Sequence, residues 1–593
     1  MRDICRRGVK SAAVVFFAGC SAAALVEHNF SMEAFILFVI FMVLYQKWPV
    51  RCRNGVRCAA CLLASCFTLF TFLGKYYMEW ESLWYIVNNI GWKILVIMIG
   101  YWAIYCYLIG YLYQFLERGI CDIGGNCQRG FNYWFCFMII FLLWLPYIIV
   151  MWPGTIEWDA LVQLGDYFGD WARSNHHPYL SSMIMGSCVN IGERLFQSDN
   201  IGLFIYTFMQ CLVTISIMVY SLALINKWHV QRGIFITILL FYGLFTVYPS
   251  NAYYMNKDSM YSAFCLLLLL LYISFRECEA WSWKRLMGGV VTVLLIYSYR
   301  NNGVYLLLGS CTIWAVDFFV QHKRKAAMFF TVLLVETVIL HIGYHGWFMP
   351  KYEIAEGRIN EALSIPLQQT ARYCLEHEEE ITEEERVVLA KYFAVDNIED
   401  YYDPEISDAV KGRFLAESGE ELREYFALWW EMFIKHPTTY VKATLNNVYG
   451  YFYPAYGEYS NSVGNYRVVP YAPEGISVHF SQWNMRGSYI LEEIARGLKE
   501  TPFIGYLYSM GTYSWIILLI TGLCIIRGKK SIMGVLLPIG ISFLVCIASP
   551  VNGFLRYMLP IIYMLPVTVI YILKECDCNK GNDNGGTKLE NVE

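Results

Sequence analysis

Charge is what this sequence has least of. Only 16% of its 593 residues are Asp, Glu, Lys or Arg, against about 25% in soluble domains, and that scarcity excludes an ordinary soluble enzyme. Net positive charge is lacking as well. The formal balance is −4, so nothing here invites nucleic acid as a partner. There is no Walker loop, no dinucleotide fingerprint and no HExxH, which argues against a nucleotide cofactor and an ATP-driven pump. Twenty cysteines are present, but partners for them are missing. Most fall in apolar segments or in loops assigned below to the cytoplasm, and the segment 347–507 holds only Cys374. A secreted disulfide framework is therefore not expected. Cys121 with Cys127, and Cys576 with Cys578, are isolated pairs rather than a zinc ligand set. Internal repeats are absent too.

What the chain has in abundance is apolar surface: 57% hydrophobic and 17% aromatic residues, with a mean hydropathy of +0.40. A helical span takes ~20 mostly apolar residues. That length reads as an all-α polytopic membrane protein with about fourteen transmembrane helices. They lie near 11–27, 32–48, 56–74, 92–116, 133–151, 201–225, 233–248, 259–275, 286–299, 303–320, 326–346, 508–526, 532–549 and 555–573. The basic start MRDICRRGVK before SAAVVFFAGCSAAALV resembles a signal peptide. A retained first span is preferred, because another apolar stretch follows at once and no clean cleavage site stands out.

Short-loop cations set the orientation. Alternate loops carry clusters: Arg2, Arg6, Arg7 and Lys10; Lys47, Arg51, Arg53 and Arg57; Arg276, Lys284 and Arg285; Lys323, Arg324 and Lys325; Arg527, Lys529 and Lys530. The opposite loops hold only single cations such as Lys75, Arg173, Arg194, Lys257, Arg300 and Arg556. The expected topology has both termini cytoplasmic. The loop 152–200, the loop 249–258, the turns at 300–303 and 549–556, and the segment 347–507 then share the outer face of a plasma membrane. Five regions follow: an accessory bundle at 1–132, a membrane core at 133–346, a mostly helical extracytoplasmic domain at 347–507, closing spans at 508–574, and a polar, disordered cytoplasmic tail at 575–593. At roughly 160 residues the outer segment is of ordinary domain size. Thr382 with Glu385 forms a capping box there. Trp429, Trp430, Phe433, Tyr440 and Tyr449 suit helices lying at the membrane interface. Pro437 and Pro454 break those two helical runs, and Gln368, Gln369 and Arg372 read as structural.

The chemistry-bearing stretch is 151–178, MWPGTIEWDALVQLGDYFGDWARSNHHP. Pro153-Gly154 turns the chain, and Thr155 is placed to cap a short amphipathic surface helix. Its apolar side holds Trp158, Leu161, Val162 and Tyr167, and its polar strip holds Asp159, Gln163 and Asp166. A second helix starts at Pro178. A carboxylate at the bilayer edge can serve as general base towards a hydroxyl or ligate a divalent cation. The bland alternative, fitting Glu157 and Asp170 best, is a solvated loop charge. His176 and His177 are a ligand or phosphate contact, or merely exposed. Lys257 and Asp258 sit where the chain re-enters the membrane, a costly place for unpaired charge. Lys257 suits a phosphate, against snorkelling and capping as the plain reading. Arg300 in YRNNG suits bidentate phosphate binding, against a tight hairpin, and Arg556 opens the last span.

Together, WPGTIEWDA…HHP, NKDS, YRNNG, PLQQTAR and LRYMLP resemble a family of uncharacterised polytopic proteins of Gram-positive bacteria over about 133–573. The first outer loop resembles that of the GT-C class of integral-membrane glycosyltransferases, which includes protein O-mannosyltransferases and the aminoarabinose transferase of lipid A. The resemblance implies a GT-C-like core with amphipathic helices in its first outer loop, and Asp159 as catalytic base or metal ligand. It also implies a polyprenyl-phosphate-linked sugar donor within the bilayer and an acceptor hydroxyl on an envelope glycan, lipid or protein. Charge and sidedness add Lys257, Arg300 and Arg556 as phosphate holders, with His176, His177 and Asp258 beside them. A divalent cation, Mg or Mn, would use Asp159 with Asp166. Ala160 stands where many GT-C enzymes carry a second acid, which weakens the case for a metal. The rivals are a transporter or flippase of a lipid-linked glycan, for which Asp317, Glu336 and His341 are the candidates inside spans, and a non-catalytic scaffold or sensor. The enzyme reading requires Asp159 and the three cations to share one site.

Overall fold

The computed structural model describes residues 54–81, 93–119 and 130–576, apart from 157, 170–171, 279–280, 394–397, 417 and 455–475. The first two expected spans, most of the expected tail, Glu157 and Asp170 lie outside them. Two helices, α1 (Asn54–Trp80) and α2 (Lys93–Gly119), come first. Next are α3 (Tyr133–Val150), strand β1 (Thr155–Ile156), α4 (Trp158–Phe168) and α5 (Tyr179–Phe196). Then α6 (Asp199–Lys227), α7 (Arg232–Leu244) and α8 (Val247–Ala252) lead to strand β2 (Tyr254–Met255). The core closes with α9 (Lys257–Glu277), α10 (Trp283–Tyr299), α11 (Gly303–Val320) and α12 (Arg324–Gly343). A helical lobe follows, built on α13 (Ser364–Glu376), α14 (Glu383–Tyr392), α15 (Gly419–Lys435) and α16 (Pro437–Val448), with α17 (Gln482–Glu500) beyond it. Last come α18 (Met510–Ile526), α19 (Leu537–Ile547) and α20 (Leu555–Glu575).

Each expected span among the described residues coincides with a helix, and the lengths of these helices differ. Among the described residues seven helices are long and apolar enough to cross a membrane, while Arg232–Leu244, Met510–Ile526 and Ile532–Ile547 are apolar but shorter. This is a helical membrane protein. Helix α9 is its axis: nearly every side chain from Lys257 to Phe275 is buried, with α6, α10 and α20 packed around it. The two N-terminal helices lean on the C-terminal part of the chain. Phe67 stacks on Trp515 at 4.0 Å, and Tyr113 donates to the Leu519 carbonyl at 2.9 Å.

The lobe has its own core, separate from that of the bundle, centred on Leu367, Tyr373, Leu389, Tyr425, Met432 and Tyr440. Here the aromatic expectation is corrected in part. Tyr440 is buried in the lobe, Trp429 packs parallel to Phe433 with ring centroids 6.1 Å apart, and Tyr449 is buried against Tyr77 of α1, while Trp430 is 54% exposed as the interface reading expects. Helix α17 presents an exposed apolar stripe, with Trp483, Tyr489, Ile490 and Ile494 outward and Asn484 donating to the Val150 carbonyl at 2.8 Å. The capping box at Thr382 and Glu385 is present as expected.

The smallest element does the most to shape the centre. Strands β1 and β2 pair in parallel, Thr155 with Tyr254 and Ile156 with Met255. Thr155 is therefore a strand residue, not the cap of α4, and its buried hydroxyl has no hydrogen-bond partner among the described residues. Gly154 makes the entry possible. Its φ of 117° suits glycine, and a Cβ there would stand 2.6 Å from Thr207 Cγ2. Gln210 of α6 fastens β2 from below, its amide nitrogen lying 3.2, 2.9 and 2.8 Å from the carbonyls of Asn251, Ala252 and Tyr254. Asn256 then caps α9, accepting from the Ser259 N–H at 2.7 Å. Gln210→Leu keeps the volume but leaves buried carbonyls short of a donor, at about 1–3 kcal/mol. We expect a lower thermal midpoint for this variant in detergent, with the helical content of the folded state unchanged.

Candidate functional site

Five charges from four distant parts of the chain meet just beyond the clip. Asp159 lies in the first turn of α4, Lys257 and Asp258 open α9, Arg300 ends α10, and Arg556 opens α20. They alternate in sign. Lys257 Nζ is 2.9 Å from Asp159 Oδ2, and Arg556 Nη2 pairs with that same oxygen. Arg556 Nε is 2.8 Å from Asp258 Oδ2, and Arg300 Nη1 is 3.0 Å from Asp258 Oδ1. The two contacts to Asp258 are ion pairs by distance without hydrogen-bond alignment. Arg300 also lies over Tyr557, 5.1 Å from its ring centroid, a cation–π arrangement.

The ladder has a sealed end and an open end. Asp258 is 0% exposed, whereas the Asp159 and Arg556 side chains are 19% and 16% exposed. Burial pushes the Asp159 carboxyl up, but Arg556, then Lys257 and His177, outweigh it and hold it well below the usual carboxylate range. His177 Nδ1 is 2.6 Å from Lys257 Nζ. An ammonium only donates, so Nδ1 accepts and the ring proton sits on Nε2, 3.9 Å from Asp159 Oδ1. Burial, then the Lys257 charge, hold His177 well below the usual histidine range, and it is neutral. Three cations against two carboxylates leave the ladder one positive charge in excess.

His176 and His177 part company. His177 faces the ladder, while His176 is half-exposed with Nδ1 3.8 Å from Glu361 of the lobe. Their loop is anchored by Asn175, whose carbonyl accepts from Asn301 at 2.9 Å and whose Oδ1 accepts from Tyr344 at 2.8 Å. The YRNNG turn thus contributes a structural asparagine beside its arginine.

Helix α4 is oriented opposite to the amphipathic reading. Gln163 and Asp166 of the polar strip are buried, and Trp158 of the apolar side is 72% exposed. Gln163 finds its partner inside, donating to Ser181 Oγ at 2.5 Å. This orientation also overturns the expected metal pair. Asp159 and Asp166 are seven residues apart, about 10.5 Å along the helix, too far to share one ion. Asp159 Oδ2 is moreover taken by two cations. These residues do not fit a Mg or Mn site. Asp166 stays apart from the ladder, its carboxyl pushed up to about 6 by burial.

The sequence reading missed a second cluster, His377, Glu380 and His436, whose ligand atoms all lie within 4.8 Å of one another. The residues it did set aside as structural are so. Gln368 donates to the Asp403 carbonyl at 2.7 Å, and Arg372 pairs with Glu376 at 2.8 Å.

Fold and site together define a polytopic helical membrane protein with a buried, net-positive charge cluster at one end of its central helix. The chain belongs to a family of unknown function (DUF6020), which matches residues 169–584. Lys257, Asp258, Arg300 and Arg556 fall inside the match, and Asp159 just before it. No curated protein and no solved structure matches the chain.

The neutral His177 makes stability depend on pH. Below about pH 6.5 the unfolded chain takes up a proton that folded His177 refuses, so stability falls as pH falls, by up to about 1.4 kcal/mol per unit. Asp166 works in the opposite sense below about 6, and Asp159 enters only under the unfolded carboxylate value of about 3.9. In an Asp166→Asn background, His177→Gln should flatten the slope between pH 6.5 and 5, read from unfolding midpoints in detergent.

Proposed function

We propose that this protein is an integral-membrane glycosyltransferase of GT-C type. It would move a sugar from a polyprenyl-phosphate-linked donor to an acceptor hydroxyl on the outer face of the membrane. The observation that carries the reading is the cation excess of the ladder at its accessible Asp159–Arg556 end. A site with three cations to two carboxylates, walled by apolar helices, suits the phosphate of an amphiphilic donor. The sidedness of short-loop cations supports an outward-facing site, and the apolar helices beside it give a lipid tail its environment.

The step balances simply. The acceptor oxygen bonds to the anomeric carbon as the bond from that carbon to the phosphate oxygen breaks. The electron pair leaves with the phosphate, held by Arg556 and Lys257 with Arg300 behind them, and the hydroxyl proton passes to Asp159. Ion-paired, Asp159 is a weak base. A donor phosphate that competes for Lys257 and Arg556 loosens those pairs and raises its basicity when a donor is bound. No step requires a metal ion at Asp159.

A transporter or flippase is the second reading, favoured by one observation: Glu336 within α12 has a carboxylate oxygen that is buried without a hydrogen-bond partner among the described residues, a costly state inside a bilayer. Purified protein given polyprenyl-phosphate-linked labelled sugars separates the two. We expect transfer to an acceptor, lowered about 10²–10⁴-fold by Asp159→Asn and untouched by Glu336→Gln. Transfer at full rate in Asp159→Asn removes that residue from the chemistry. Lipid-linked glycan crossing liposomes without transfer, and stopped by Glu336→Gln, would replace the enzyme with the transporter.

A further inference from the structure

The lobe holds three ligand-type side chains that the proposed transfer does not use. His377 follows the last residue of α13, Glu380 ends the short 3-10 turn after it, and His436 is the joint between α15 and α16. His377 Nδ1 is 3.3 Å from Glu380 Oε1, and His436 Nε2 is 2.8 Å from Glu380 Oε2. The two imidazoles are stacked, with centroids 3.6 Å apart and planes 16° from parallel.

The surrounding hydrogen bonds assign the proton of His377. Thr439 Oγ1 donates to Glu376 Oε2 at 3.1 Å, so towards His377 Nε2, at 3.0 Å, it can only accept. Nε2 therefore carries the ring proton, and in the neutral ring the lone pair is on Nδ1, the atom that faces Glu380. A lone pair and a carboxylate oxygen at that distance repel unless positive charge lies between them. A second ring proton would supply it for one histidine. Protonating both would stack two like charges face to face at 3.6 Å. Neutral His436 can meet Glu380 with its Nε2–H, so the repulsion concerns His377. A divalent cation removes it and recruits both rings once they turn out of the stack, since ring lone pairs lie in the ring plane. It needs Nδ1 of one ring, Nε2 of the other and one carboxylate oxygen, the atoms already gathered here.

We propose that His377, Glu380 and His436 form a zinc site, with Thr439 and Glu376 as the hydrogen-bonded support that orients His377. Two imidazole nitrogens and one carboxylate oxygen are a zinc donor set, with water as the fourth ligand. Calcium and magnesium favour all-oxygen cages. The Glu376–Thr439–His377 chain is the kind of outer support that fixes the tautomer of a metal-bound histidine. The ion ties the end of α13 to the joint between α15 and α16, so its role is to brace the lobe.

The test uses the full chain in detergent, stripped with chelator and titrated with zinc chloride, with bound metal measured by elemental analysis and unfolding followed by temperature. Expected are one zinc per chain, a higher unfolding midpoint with zinc, and no competition from magnesium. Glu380→Gln should weaken binding by at least about tenfold. Glu380 is 58% exposed, so this variant keeps its fold even if His436→Ala does not. Asp159→Asn and Asp166→Asn should bind as the parent does. Uptake below about half an equivalent, equal affinity in Glu380→Gln, or loss of zinc in Asp159→Asn would each overturn the site.

Discussion

Arg556 bridges two carboxylates that belong to different helices, and the centre of the molecule depends on that bridge. Its guanidinium reaches Asp159 through Nη2 and Asp258 through Nε, using two edges of a planar fork that lysine does not have. Asp258 is wholly buried, and a charge so placed survives only with partners; stripping one from such a pair costs about 3–5 kcal/mol. Through this residue the last helix of the chain holds α4 against α9, and through Asp258 it also holds the α10–α11 turn. The ladder is thus a fastener for the bundle and, in the proposed function, also the receptor for the donor phosphate. One set of charges serves both ends.

The lobe reaches the ladder from the other side. Its segment around Glu405 grips the turn before α20: Ser407 N–H donates to the Pro550 carbonyl at 2.8 Å, and Asn552 N–H to the Glu405 carbonyl at 2.9 Å. Gly450 N–H donates to Asn552 Oδ1 at 2.8 Å. Arg556 is therefore aimed by a domain more than a hundred residues earlier in the chain. Glu361, with Lys411 at 2.7 Å and His176 on its other oxygen, links the lobe to the histidine loop. A brace at His377 and His436 would stiffen the same body that sets the position of Arg556.

Much of this was legible in the sequence, for reasons of period and side. Apolar runs located the helices, and single cations in loops otherwise poor in them marked Lys257, Arg300 and Arg556 as a set. The helix lengths were less legible, since an apolar run does not show where a helix stops. The orientation of α4 was read backwards because periodicity tells which residues share a face, not which face is buried. In a membrane bundle the polar strip can be the one that faces in, with the Gln163 amide donating to Ser181. The β1–β2 clip left no signal: two residues on each side, with Thr155 paired to Tyr254 and Ile156 to Met255 across 99 positions of chain, carry no periodicity. His377 and Glu380 were hidden in EHEEE, which reads as solvated charge, and their partner His436 comes from another helix pair.

The parallel sense of the clip has an electrostatic consequence of its own. Because β1 and β2 run the same way and each leads within two residues into a helix, α4 and α9 begin side by side, and Asp159 and Asp258 both fall in first turns. Helix starts carry partial positive charge from unpaired N–H groups, worth roughly 0.3–1 kcal/mol to a nearby anion. The two acids are thus favoured by the peptide dipoles beneath them as well as by side-chain cations. If a ligand draws Lys257 and Arg556 away, the backbone still shields Asp159. The carboxylate thus keeps part of its stabilisation while it changes partners.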